Sequence, residues 1–356
     1  MKLGIIGGGQ LARMLAIAAK KINVSTIVLD PDPQSSASQI TQHIIGDLND
    51  PCSIKKLALE SDVLTYELEH IDAHLIKKNI NDVSIFPSLK ALEISQDRLY
   101  EKNYLNNIGL QTTQYHEISN NLDIEKLSNI NQDYYLKIRR SGFDGRGQVK
   151  INDTQTLKSA FDYFNFSPCI LEETIPFEYE CSIITARDKS GKFLFYPLVK
   201  NTHDLGILKY SEIHSDTHPL QAQAESIAEK LMSSLNYIGV MTIEFFYMQG
   251  QLIINEIAPR VHNSGHWSIE GTNCSQFESH IRCLFDLTLP PLSTINNTCM
   301  YNILGRYPDT NVLASKANIF IHSYNKGERA QRKLGHITIL NPTIEDKTAV
   351  VTLLSG

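Results

Sequence analysis

The sequence predicts an α/β protein that opens on a parallel sheet, and three observations predict it. Short apolar strands alternate with stretches of helical apolar spacing through the first hundred or so residues, the pattern of strand–crossover–strand units. A glycine turn, Gly7-Gly8-Gly9-Gln10, joins the first strand to the first helical stretch. The strands end at proline- and acid-rich stops such as Asp30-Pro31-Asp32-Pro33. At 356 residues the chain has room for two or three domains, taking roughly 100–200 residues for each.

The elements follow in order. Residues 2–6 form an apolar strand and 11–21 have helical spacing. Strand 25–29 runs into the Asp-Pro stop; strand 62–66 leads to Glu67-Leu68-Glu69-His70; strand 83–86 is followed by Pro87. The first domain is expected at 1–96. A charged amphipathic helix follows at about 96–108, then strand-rich sequence from 111 to 200 that includes 134–139, 149–151 and 169–173. An amphipathic helix at 220–235 precedes strands at 240–247 and 251–257. The last segment, 297–356, reads as short strands with a basic cluster.

Composition narrows the function. Hydrophobic residues make up 42% and charged residues 20%, as in soluble globular proteins. The net charge of −6 argues against nucleic-acid binding, which wants a basic face, and leaves room for a local phosphate pocket. The six cysteines are irregularly spaced with no C-x-x-C, which fits reduced thiols rather than disulfides or zinc. The first apolar run is interrupted by glycines and by Arg13, unlike a signal peptide. No apolar run approaches the ~18 residues of a membrane span, so no membrane contact and a cytoplasmic location are expected.

The densest chemistry lies from Ile253 to Trp267, where a strand ends in Asn255 and Glu256 and a loop adds Arg260, His262, Asn263 and His266. Burying so many polar groups unpaired would cost several kcal/mol. A second apolar strand carries Glu244. Two strand-borne carboxylates can hold Mg²⁺ against a triphosphate, and a nearby Arg can meet a developing anion.

Three further segments bear on anions. Gly7-x-Gly9-x-x-Ala12, with Asp30 downstream, has the spacing of a dinucleotide turn. Taken alone it suggests NAD; Gln10, which helix packing does not require, favours a substrate phosphate or ribose contact instead. Lys137 precedes a loop of three glycines with Asp144 and Arg146, whose backbone N–H groups can close over phosphates. Residues 326–336 concentrate Lys326, Arg329, Arg332, Lys333 and His336, a phosphate clamp or a solvated charged hairpin. Between the last two lies Leu171-Glu172-Glu173-Thr174-Ile175, then Glu180, which reads as a strand leaving for a linker where an adenosine could sit.

Together these residues resemble the N5-carboxyaminoimidazole ribonucleotide synthetase family of ATP-grasp enzymes, the ATPase subunits of phosphoribosylaminoimidazole carboxylase. The likeness runs from Gly7–Met14 to Arg332–His336 and is most specific from Asn255 to Trp267; Phe195-Tyr196-Pro197-Leu198 with Asn201, His203 and Gly206-Ile207-Leu208 belongs to it too. It implies a three-domain ATP-grasp fold: an N-terminal Rossmann-like domain at 1–96, an ATP-grasp domain at 97–290 with a lid at about 110–180, and a small β-rich C-terminal domain at 297–356. ATP contacts would come from Arg98, Lys137, Gly142, Phe143, Asp144, Gly145, Arg146, Gly147, Gln148, Glu172, Glu173, Thr174, Ile175, Glu180, His203, Asn255 and Glu256. Glu244 and Glu256 would bind Mg²⁺, or Mn²⁺ in its place. Aminoimidazole ribonucleotide would lie against Gly9, Gln10, Leu11, Glu67 or Glu69, with its phosphate on Lys326, Arg332 and Lys333. One departure is Phe143, where the family's loop has Tyr and its phenolic hydroxyl.

The implied chemistry is attack of bicarbonate on the γ-phosphate of ATP, then capture of the carboxyl carbon by the amine of 5-aminoimidazole ribonucleotide. Arg260 would stabilise the carboxyphosphate, Asp144 and Arg146 would lie near the amine, and His262 with Asn263 would orient the reactants. His262 is open to either role, base or orienter. A related ligase using formate is the nearest alternative, and a homodimer is the family expectation.

Overall fold

The computed structural model describes all residues except 81, 128–129, 131, 141, 143–146, 214–218, 296, 314–315 and 356. The predicted parallel sheet is there: β1 (Lys2–Ile6), β2 (Ser25–Asp30), β3 (Gln42–Ile45), β4 (Val63–Tyr66) and β5 (Ser84–Ile85), in the order β3-β2-β1-β4-β5. The helices α1 (Gln10–Lys21), α2 (Pro51–Leu59) and α3 (Ala73–Asn79) supply crossovers. Strand β1 is buried almost throughout because helices or other elements cover both its faces.

The helix expected at 96–108 is present over 98–107, and a separate helix precedes it. Helix α4 (Leu89–Ser95) stops, Asp97 turns the chain, and α5 (Arg98–Asn107) starts with the Asp97 carboxylate accepting from the Leu99 and Tyr100 N–H groups. The four-stranded antiparallel sheet that follows contains β6 (Tyr115–Ile118), β7 (Tyr134–Ile138), β8 (Gln148–Ile151) and β9 (Cys169–Glu173), in the order β6-β9-β7-β8. This stretch holds more helix than the strand-rich reading of 111–200 expects. Helix α6 (Asn121–Lys126) opens on an Asn120–Asp123 capping box, and α7 (Thr154–Tyr163) on the Asp153 side chain.

The third sheet has nine strands: β10 (Tyr179–Arg187), β11 (Phe193–Phe195), β12 (Val199–Asp204), β13 (Ile207–Ile213), β14 (Gly239–Met248), β15 (Gln251–Ala258), β16 (Thr298–Leu304), β17 (Ile319–Ser323) and β18 (Lys333–Leu340). Its order is β15-β14-β10-β12-β13-β16-β18-β17, with β11 on β10. The C-terminal strands therefore continue the central sheet through the β13–β16 pairing. Helices α8 (Gln221–Ser234), α9 (Ser268–Gly271) and α10 (Gln276–Leu284) belong to the central part. Helix α11 (Ile344–Ser355) ends the chain, where only strands were expected; Thr343 and Asp346 exchange hydrogen bonds at its start.

One core joins the first and third sheets. Leu11, Met14 and Leu15 of α1 share an apolar cluster with Phe277, Ile281 and Leu284 of α10 and with Trp267 and Tyr196. Buried His280 ties the two sheets: its Nδ1 accepts from Val240 N–H at 3.0 Å, which leaves Nε2–H to donate to Thr65 Oγ1 at 2.9 Å. Burial pushes its pKa down to about 3, so it serves as a neutral linker.

Candidate active site

The site is built outward from β14 and β15. These strands pair antiparallel with Glu244 opposite Glu256, and the apolar residues beside them, Ile243, Phe245, Ile254 and Ile257, lie in the core. A bulge then pairs Phe245 with Ile254, so that Asn255 is the additional residue on β15. Regular alternation would bury one of two consecutive residues. Here Asn255 and Glu256 are both only part-buried, which is how a bulge beside a site re-aims side chains.

The two carboxylates differ in environment. Burial and the charge of Glu256 push Glu244 up to about 8. Burial works against ionisation of Glu256 as well, but Arg98 overcomes it and holds the group below its ordinary value, with Nη1 2.9 Å from Oε2. A carboxylate pair in which one member resists ionisation is suited to receive a cation, and Mg²⁺ commonly takes one or two carboxylates with phosphate oxygens completing its shell. No cluster of three or more His, Cys, Asp or Glu fit to hold a metal occurs among the described residues.

Next to Glu244 lies His262, its Nε2 3.2 Å from Oε1. His262 also caps a short 3-10 turn, Asn263–Gly265, and burial pushes its pKa well down. Both side-chain atoms of Asn263 are buried without a hydrogen-bond partner among the described residues. Arg260 Nε lies 3.1 Å from Glu69 Oε1, close but without hydrogen-bond alignment, while its Nη1 donates to Val261 O at 3.0 Å. Burial raises the Glu69 pKa and Arg260 opposes that rise. On β10, Glu180 accepts from His203 Nδ1 at 2.6 Å; burial alone would lower His203, but this hydrogen bond raises it. A second bulge, between Thr202 and His203, re-aims β12 at that point.

The nucleotide side meets the carboxylates through Arg98 and Glu172. Arg98 reaches Gly142 O at 3.2 Å as well as Glu256. Glu172 is nearly fully buried, yet Lys137 at 2.9 Å, Lys102 at 3.5 Å and Arg98 bring its pKa down to about 2. Gly147 has φ near +71°, and an added Cβ would come within 2.5 Å of Ile138, so glycine is required there. Gln148 pairs with Lys137 in the β7–β8 register, and Ile138 N donates to Gly147 O at 2.9 Å. Glu173 and Thr174 anchor the strand exit, their N–H groups donating to Gln114 O and Asp133 O, and Ile175 O accepts from Phe177 N. Phe143, Asp144, Gly145 and Arg146 lie outside the described residues.

The first glycine turn is arranged unlike a dinucleotide site. Gly8 N donates to Asp30 Oδ2 at 2.8 Å, Gly9 N to Glu67 Oε1, and Ala12 N to Glu67 Oε2 at 2.9 Å. Two carboxylates thus occupy N–H groups that a pyrophosphate would need, which answers the NAD reading of this turn. Glu67 is committed to holding α1, with burial raising its pKa. Gln10 and Leu11 sit at the start of α1, and Gln10 Oε1 accepts from Lys326 Nζ, which ties the turn to the C-terminal segment. Burial pulls Lys326 down to about 8, with Arg332 and Lys333 adding to the effect. Arg332 Nη1 donates to Gly327 O at 3.1 Å, and Lys333 begins β18. Lys333 also acts electrostatically on Glu244 and His262, so the basic segment faces the same space as the carboxylates.

Sequence reasoning missed several members. Lys102 is 1% exposed and donates to Thr113 Oγ1 at 3.1 Å and Asn255 O at 3.3 Å. Glu101 beside it is buried too, with its pKa raised by burial and by Glu256. Both looked like surface charges of an amphipathic helix. Asp97 gathers Arg139 and Arg140. The helix-breaking Asp before Arg98 was the available signal for Asp97; for Lys102 there was none.

Three family models match the chain: a ribonucleotide synthetase preATP-grasp domain over 1–96, an ATP-grasp domain over 103–277 and a phosphoribosylaminoimidazole carboxylase C-terminal domain over 298–349. The chain is 39% identical to the N5-carboxyaminoimidazole ribonucleotide synthase of Pseudomonas aeruginosa, over 95% of this chain and 94% of that protein. It is 40% identical to the synthase of Brucella melitensis, over 96% of each. Among solved structures it is similar to the synthetase of Thermus thermophilus, with TM-score 0.92, 34% identity and coverage of 99% of this chain and 97% of the other. It is likewise similar to the Aspergillus clavatus synthase in complex with ADP and 5-aminoimidazole ribonucleotide, with TM-score 0.89, 31% identity and coverage of 99% and 97%.

Proposed function

The chain belongs to the N5-carboxyaminoimidazole ribonucleotide synthases, and from that premise we propose how its residues divide the work. The reaction is ATP-dependent carboxylation of 5-aminoimidazole ribonucleotide to its N5-carboxyamino derivative in purine biosynthesis, by an ATP-grasp carbon–nitrogen ligase. The observation that carries the assignment of the site is the Glu244–Glu256 pair, bracketed by Arg98 and by Arg260 on its Glu69 partner.

ATP lies between the four-stranded sheet and the nine-stranded one. Lys137, Gly142, Gly147 and Gln148 take its phosphates, with Phe143, Asp144, Gly145 and Arg146 completing the loop. Glu172, Glu173, Thr174 and Ile175 meet the base, and Glu180 with His203 meets the ribose. Glu244 and Glu256, beside Asn255, would hold Mg²⁺, or Mn²⁺, which when bound neutralises phosphate charge. A bicarbonate oxygen bonds to the γ-phosphorus as the bond to ADP breaks, giving carboxyphosphate. The amine nitrogen then bonds to the carboxyl carbon, inorganic phosphate leaves, and the nitrogen gives up a proton.

Arg260 is the group placed to meet the growing anion, since among the described residues its guanidinium is held by Val261 O and a poorly aligned Glu69. Asn263 contributes its unpartnered carboxamide, and Asp144 and Arg146 are assigned to the amine. The ribonucleotide lies along Gly9, Gln10 and Leu11 near Glu69, with Lys326, Arg332 and Lys333 on its phosphate. Glu67 acts from behind by fixing the turn. The protein works as a homodimer in the cytoplasm. No helix among the described residues is long and apolar enough to cross a membrane.

The test is ADP release with ATP and Mg²⁺, adding ribonucleotide and bicarbonate or formate in turn. The reading predicts turnover that requires the ribonucleotide, with ¹⁴C from bicarbonate in an acid-labile product. Turnover that follows formate instead would overturn it.

A further inference from the structure

A chain of buried side chains runs from the core to His262. Ser264 N–H donates to His262 Nδ1 at 3.3 Å. A backbone N–H can only donate, so Nδ1 carries a lone pair and no proton. Ser264 Oγ lies 2.9 Å from the same nitrogen and must donate to it as well. With its proton spent, Ser264 Oγ accepts from Ser182 Oγ at 2.8 Å. Ser182 Oγ in turn accepts from the Asn201 amide nitrogen at 2.9 Å, which turns Asn201 Oδ1 toward the Ser211 hydroxyl at 2.8 Å. One backbone donor thus fixes the direction of every bond in the chain. Ser182, Ser211 and Ser264 are fully buried and Asn201 is 4% exposed, so water does not compete for these bonds.

The consequence falls on the other ring nitrogen. A neutral imidazole has one N–H, and with Nδ1 accepting, it is on Nε2, which faces Glu244 Oε1 at 3.2 Å. Ser182 is also the cross-strand neighbour of Glu244 in the β10–β14 register, so one strand sets both ends of the arrangement. We infer that Asn201, Ser182 and Ser264 are positioning residues that lock His262 as the Nε2–H tautomer, so that its one ring proton points to the Glu244 side and it does not serve as the base for the amine. This deepens the proposed site and rests on its assignment of Glu244. No change of protonation is invoked.

The test starts with the full chain labelled with ¹⁵N-histidine, observed by long-range ¹H–¹⁵N correlation without substrates, with His262 identified by its loss in His262→Gln. The expected pattern is an unprotonated Nδ1 and a protonated Nε2. The reverse pattern, or two protonated nitrogens, overturns the inference whatever the substrate proves to be, so its failure is distinct from failure of bicarbonate dependence. Ser182→Ala and Asn201→Leu should disturb this pattern and lower kcat about tenfold while the KM for ATP changes less than about twofold; Ser182→Thr, which keeps the hydroxyl, should restore both. Unchanged kcat and an unchanged tautomer in a folded Ser182→Ala protein would overturn it. The signature of the unsubstituted chain decides the matter if a variant does not fold.

Discussion

Glu244 and Glu256 stand directly opposite each other on antiparallel strands, yet one is held below its ordinary pKa by Arg98 and the other is pushed up to about 8. Cation binding must therefore displace a proton from Glu244 below that pH. Mg²⁺ affinity should rise with pH up to about 8 and then level off, measured by calorimetry in buffers of different ionisation enthalpy. Without the cation, the folded protein holds this proton at pH values where the unfolded chain has released it. Its stability should then fall as pH rises from the ordinary carboxylate range toward 8, and Mg²⁺ should reduce the loss. A metal-free melting temperature that rises across this window would refute the assignment.

Arg260→Ala should lower carboxylation roughly 100- to 1,000-fold, the usual effect of losing one donor to a developing anion. ATP should bind nearly as before, because Arg260 contacts Glu69 and Val261 rather than the nucleotide-side residues. Parallel ¹⁴C incorporation and ATP titration check this; near-normal turnover would remove Arg260 from its role.

Lys326 has the opposite pH dependence. Burial brings its pKa down to about 8, so it is charged below that value and neutral above it. The KM for the ribonucleotide should rise as pH climbs through 8, and Lys326→Met should raise KM at pH 7 and flatten the profile. An unaltered profile in Lys326→Met would assign the effect elsewhere.

Asp97 ties the start of α5 to the end of β7 in the four-stranded sheet. It caps α5 and takes Arg139 through both oxygens, at 3.0 and 2.9 Å, and Arg140 at 3.1 Å. Burial opposes its ionisation but the Arg139 pairing lowers its pKa, so this stabilisation holds at neutral pH and is lost only on strong acidification. Asp97→Ala leaves Arg139 without its buried partner and should cost roughly 3–5 kcal/mol, read by denaturant unfolding, with a raised KM for ATP. A loss below about 1 kcal/mol, the range of surface pairs, would show the link to be superficial.

Much of this was legible in the chain. Apolar runs marked β14 and β15 as strands, and the Asn255-Glu256-to-Trp267 stretch carried too many polar groups for a core. What stayed hidden depended on distant partners. Nothing local shows that the Glu67 oxygens accept from Gly9 and Ala12. Lys102 looked solvated because Glu172 lies far away in sequence. Ser182 and Asn201 carry no charge, and their value comes only from the β10–β12–β13 register. Helices α6, α7 and α11 were missed although their caps were present: α6 has too few turns to show a period, and in α11 the apolar residues do not gather on one face.

The β13–β16 pairing has one more consequence. It makes the separation between the Glu244–Glu256 pair and the C-terminal cations Lys326, Arg332 and Lys333 a matter of strand register. A register can change only in whole residues, about 3.3 Å each, whereas a misplacement near 1 Å can already cost a hundredfold in rate. The span between the two binding halves is therefore quantised. Substitutions of single side chains can adjust what each half binds, but moving one half relative to the other requires inserting or deleting residues in the strands that join them.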